Sequence, residues 1–200
     1  MGYRSVTHVS IAPYPGDATR IFRPPLLHLL DRNAQASGRR HRLVMHGPLP
    51  VHTLHPIRPG GLLRVLSRAP LTGWRALLTA DGSAVAIVDV GNADSSHVQV
   101  RNDEPAIALQ AALAAAAEQF AAWKPRGHFT LRLLEVPALF TTALWFVGHR
   151  PLFFPTRLDG RRCDRGCVLN RRGLIAALTS SAVMRLGPPV LPPTRHERPS

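Results

Sequence analysis

The run "EVPALFTTALWFVGHRPLFF", from Glu135 to Phe154, constrains this chain more than any other passage. So much apolar surface must leave water, either in a bilayer or in a protein core. A membrane helix needs roughly 20 consecutive apolar residues, and Pro137, His149 and Arg150 interrupt this run. The other long apolar stretch, Ala106 to Ala117, stops at Glu118. The sequence therefore predicts no transmembrane segment and assigns the aromatic run to the interior of a folded sheet.

The residues around it suggest which sheet. In "WRALLTADGSAVAIVDV", Asp81-Gly82 separates two strand-like runs, which is the strongest short-range hairpin signal. Val85 and Ile87 face one way while Ala86, Val88 and Val90 face the other, so the second run suits an interior strand. Pro105, preceded by Asp103 and Glu104, marks a helix start. Leu109, Leu113, Ala116, Phe120 and Trp123 then form one helical stripe ending before "KPRG". Phe129, Leu131 and Leu133 alternate with Thr130 and Arg132, as in a strand with one covered face. Pro137 marks a bulge, break or turn, and Leu139–Val147 reads as the next strand, with "PLFFPT" able to add another. The order strand, strand, helix, strand, strand predicts an α+β domain: a small antiparallel sheet with one long Ala-rich helix packed across it.

Charge divides the chain in three. Residues 1–70 hold ten Arg against Asp17 and Asp31, and 160–200 hold eight Arg against Asp164 and Glu197. Residues 71–159 hold six Arg and Lys124 against eight acids, so the net charge of +13 comes from the two ends. The expected organisation is a basic, weakly ordered Pro/His/Arg-rich arm over 1–70, an α+β core over 71–158, and a basic Arg/Pro-rich tail over 159–200. Lys124 is the single lysine beside 24 Arg. Guanidinium groups suit phosphate, but a GC-rich coding sequence explains the same bias together with the abundant Ala, Gly and Pro. The amino terminus has neither a signal-peptide run nor a myristoylation pattern, so a cytoplasmic location is expected.

Candidate sites are few. "DSSH" places Ser95, Ser96 and His97 together, but a relay of nucleophile, base and acid must converge from separated positions. His41, His46, His52 and His55 lie close in sequence, yet Pro50 and Pro56 oppose the helix that would align His52 and His55 on a metal. Cys163 and Cys167 are not at C-x-x-C spacing, although Arg161, Arg162 and Arg165 would favour their thiolates. Arg171 to Gly187 can form a short helix able to dock on the core, touch a membrane surface or sit near a phosphate backbone, docking being preferred, and the Pro-rich terminus after it is expected to be extended or disordered. No phosphate loop, dinucleotide fingerprint or other cofactor motif occurs, and Trp74, Trp123 and Trp145 all fall in expected core elements. These readings assign no catalytic, cofactor or metal residue.

At "LRLLEVPALFTTALWF", with its "VPAL" step and "ALW" strand after an Ala-rich helix, residues 72–150 resemble a group of small bacterial α+β proteins of unknown function. The resemblance implies a bacterial origin and an α+β domain, and carries no activity or ligand. The leading expectation is a soluble, non-enzymatic domain that acts through protein contacts. A second is an accessory nucleic-acid binder working through Arg-rich flanks, with little sequence preference. A third is a hydrolase using Ser95 or Ser96 with His97 or His149.

Overall fold

The computed structural model describes residues 8–15, 22, 24, 42–55, 66, 68–91, 98–102, 104–125, 127–163 and 167–186. They form one mixed sheet of ten strands with two α-helices, which overturns the expected small antiparallel sheet carrying a single helix. The strands are β1 (His8–Ile11), β2 (Leu43–Thr53), β3 (Leu71–Ala80), β4 (Ser83–Gly91), β5 (Val98–Asn102), β6 (His128–Val136), β7 (Thr141–Val147), β8 (Leu152–Leu158), β9 (Arg161–Arg162) and β10 (Leu169–Asn170). The helices are α1 (Glu104–Trp123) and α2 (Arg171–Leu186).

The spatial order is β10-β8-β7-β6-β2-β3-β4-β5, with β1 added to β6 and β9 to β8. The expected hairpin is present: β3 and β4 join through Asp81 and Gly82, both at positive φ (49° and 86°). That is the backbone a two-residue turn needs to match strand twist. The side chain of Gln110 on α1 grips this hairpin, donating to the Gly82 carbonyl at 2.7 Å and accepting from the Ala84 N–H at 2.9 Å. The Pro137 step is a single 3-10 turn, Pro137–Leu139, that reverses β6 into β7.

The correction to the fold comes chiefly from β2. Gly47, Pro48 and Pro50 read as strand breakers, yet 11 consecutive residues form a strand between β3 and β6. The prolines are accommodated locally. Pro48 falls in the irregularity between His46 and Leu49, and Pro50 precedes Val51–Thr53, the part that pairs with β6. Gly47, at φ 102°, leaves no room for a side chain: a Cβ would stand 3.0 Å from the Leu49 nitrogen of its own strand and 3.2 Å from the Arg75 carbonyl of β3. The β2–β6 and β1–β6 pairings are parallel, so they join segments distant in sequence that no hairpin signal announces.

Both faces of the sheet are covered. On one, α1 lies over Leu49, Val51, Leu77, Ile87, Leu131, Leu133 and Leu144, burying Leu109, Ala112 and Ala116 against them. On the other, α2 buries Leu174, Leu178 and Ala182 against Val136, Ala143, Trp145 and Phe153. Asn170 caps α2, its side-chain oxygen accepting from the Gly173 N–H at 2.8 Å. Farther along the sheet, Tyr14 packs edge-on against both Phe22 and Trp74, in a cluster with Ala76, Val88 and Val90. The strands β1, β2 and β10 and the helix α2, which come from the two basic ends, are part of the fold. The terminal residues 1–7 and 187–200 lie outside the described residues. Among the described residues, no helix is long and apolar enough to cross a membrane.

Candidate functional site

Two places on the α1 face of the sheet carry concentrated chemistry, one at each end of the helix. Beyond the α1 amino terminus the apolar residues under the helix give way to charges from successive strands. Arg75 on β3 stands in register with Asp89 on β4, and its side chain also spans β2 to reach Glu135 on β6. Its Nε donates to Asp89 Oδ1 at 2.5 Å and its Nη2 to Glu135 Oε1 at 2.6 Å. Arg101 on β5 donates through Nε to Asp89 Oδ2 at 2.9 Å, while Arg157 pairs with Glu104 at the start of α1.

Arg75 is only 6% exposed. Burial alone would lower its pKa, but the charges of Glu135 and Asp89 and their hydrogen bonds outweigh it and raise the pKa instead. The guanidinium is therefore a permanent cation with two dedicated anionic partners. A cavity of about 240 Å³ adjoins it, lined also by Thr72, Gln99 and Arg101. Among the described residues the cluster is closed: both Asp89 oxygens are engaged, and Arg75 and Arg101 match Asp89 and Glu135. It holds β3, β4, β5 and β6 together and offers no uncompensated charge to a ligand.

The opposite end of α1 is different. The helix stops where Lys124 adopts φ 44° and donates its backbone N–H to the Phe120 carbonyl at 3.0 Å. Pro125 and Gly127 then turn the chain into β6. Because β6 and β7 run antiparallel with Thr130 opposite Val147, the β7–β8 turn brings His149 and Arg150 to the same end. The result is a cavity of about 590 Å³ lined by Trp123, Lys124, His128, Phe129, His149 and Arg150 among others. No Asp or Glu occurs among the described residues that line it. The volume falls within the range of small-molecule and cofactor sites.

The cavity walls are fixed from below. Phe120 packs against Phe129 and Phe146 at ring separations of 5.3 and 4.6 Å. Gly148 makes room for Phe129, since a Cβ there would meet the ring at 2.8 Å. His128 stacks on His8 of β1 at 4.8 Å with the rings 12° apart, and its Nε2 shares a 3.0 Å hydrogen bond with the Ser10 hydroxyl. Trp123, part of the lining, is 54% exposed. A cation at a helix carboxyl terminus is stabilised by the helix dipole, which accounts for Lys124. It does not account for Arg150, His149 and His128, which come from other elements.

The residues singled out in the sequence are dispersed. Ser95, Ser96 and His97 lie outside the described residues, as does His41. His46 shares a hydrogen bond with the Thr79 hydroxyl at 3.0 Å, while His52 Nδ1 donates to the Ala69 carbonyl at 2.8 Å. His55 is exposed, and no group of three possible metal ligands forms among the described residues. Cys163 follows β9, half-buried, and Cys167 is exposed before β10. His149 does line the cationic cavity. Trp123, expected in the core, is the residue the sequence misplaced; adjacent "WK" and "HR" pairs at the ends of α1 and β7 were the available signal.

His52 gives the fold a pH dependence. Burial against the α2 face lowers its pKa below the ordinary 6.5; the Ala69 hydrogen bond opposes that shift and the Arg132 charge adds to it. Above that value the ring is neutral in folded and unfolded chains alike. Below it the unfolded chain takes up the proton first, so stability is lost as pH falls through 6.5 toward the lower folded value. Urea midpoints should therefore drop between about pH 7.5 and about pH 5, and His52→Gln should reduce that drop.

No protein-family profile, curated protein or solved structure matches this chain.

Proposed function

We propose that the protein is a non-enzymatic binding protein that takes an anionic ligand in the cavity at the carboxyl-terminal end of α1. The observation that carries this reading is the acid-free lining: Lys124 and Arg150 converge there with His128 and His149. The ionic cluster at the other end of the helix satisfies its own charges. Here nothing among the described lining residues neutralises the cations, and low-dielectric aromatic walls strengthen their field at the mouth of the cavity. On this reading the anion meets a fixed surface of the folded domain rather than the Arg-rich flanks. A cytoplasmic setting, where phosphorylated ligands abound, belongs to this proposal.

The test is binding of inorganic polyphosphate to the full chain across a salt series. Affinity should fall as salt rises, and the double variant Lys124→Glu/Arg150→Glu should bind more weakly, with a salt slope smaller by about 2. A double variant that folds normally yet binds with unchanged affinity and slope would place the anion elsewhere.

A further inference from the structure

We infer that the ligand of this cavity is single-stranded nucleic acid, with a base stacked on Trp123 and the adjoining phosphates held by Lys124 and Arg150. The inference rests on the anion-binding reading above and adds the class of ligand. Three features favour it over a simple inorganic anion. The indole is 54% exposed at the rim of the cavity rather than folded into the core that takes Trp74 and Trp145. Lys124, the next residue, and Arg150 line the same cavity as that ring and give it positive charge. The volume, about 590 Å³, exceeds what a lone phosphate fills and leaves room for a planar ring.

A charged groove beside an exposed aromatic ring is how single strands are held without sequence readout, because every base has a π face and every linkage a phosphate. A duplex presents phosphates but keeps its bases stacked in the helix, so it cannot use Trp123. An acidic peptide satisfies the cations but leaves the indole without a flat partner.

The experiment compares three fluorescently labelled ligands of equal length on the full chain by anisotropy: oligothymidylate, the same sugar–phosphate strand without bases, and a duplex. Oligothymidylate should bind tightest. Trp123→Ala should weaken it roughly 5- to 150-fold while leaving the base-free strand unchanged. Trp123→Tyr, which keeps a stacking ring, should recover most of the loss. Equal binding of strands with and without bases overturns the base-stacking inference and leaves the anion site standing. Tighter binding of duplex, or equal competition by polyglutamate, also overturns it. Failure of all three ligands and of polyphosphate to bind overturns both readings.

Discussion

Replacing Arg75 by alanine should cost about 3–5 kcal/mol, the range for removing one partner of a buried ion pair. Asp89 and Glu135, whose side chains are 20% and 24% exposed, would be left facing each other's region of the sheet without their shared cation. For a chain of this size the loss corresponds to roughly 6–20 °C in melting temperature. The damage comes from stranded charge more than from lost packing. The triple variant Arg75→Met/Asp89→Asn/Glu135→Gln should therefore be more stable than Arg75→Ala, because it fills the space and removes all three charges. Thermal melts of the two variants separate these causes. If Arg75→Ala melts with the parent, the cluster does not hold the four strands as described.

An isolated fragment spanning residues 71–158 should not fold. It retains β3 to β8 and α1 but lacks β2, the strand that joins β3 to β6. Without β2 the sheet divides into two blocks, each with a raw hydrogen-bonding edge open to other chains. The α1 face loses Leu49 and Val51, and the opposite face loses Leu54, Leu66, Leu174, Leu178 and Ala182 beside Phe22. The expected result is aggregation and no cooperative thermal transition by circular dichroism, against a cooperative one for the full chain. A fragment that melts cooperatively as a monomer would show that the two blocks can close on each other without β2.

What the sequence revealed and concealed follows from how local each interaction is. The β3–β4 turn was legible because Asp81 and Gly82 must adopt positive φ whatever surrounds them. The α1 helix was legible because Pro105 and the spacing of Leu109, Leu113 and Ala116 are properties of the segment itself. The strand β2 was not: Gly47 and Pro48 sit at an irregularity in the pairing with distant β3, and β6 joins only at Val51–Thr53, so no local pattern announces the strand. Trp123 continued the α1 stripe arithmetically, but the helix outruns the apolar face beneath it, and no local pattern records where a sheet ends. Arg75, Asp89 and Glu135 were visible as single charges inside apolar strands. Their convergence depends on strand order, which the sequence leaves open. The cationic cavity was hidden for the same reason, since Lys124 and Arg150 meet only through the β6–β7 pairing.

The most direct test of the anion cavity follows the three indole N–H signals by nuclear magnetic resonance while oligothymidylate is added to the full chain. Trp74 and Trp145 are buried at 4% and 6% exposure and serve as internal controls, whereas Trp123 stands at the cavity mouth. The Trp123 signal should shift progressively and saturate while the other two stay in place, and Lys124→Glu/Arg150→Glu should abolish the shift at the same ligand concentration. A titration that binds ligand but moves Trp74 or Trp145, or leaves Trp123 untouched, would contradict the site.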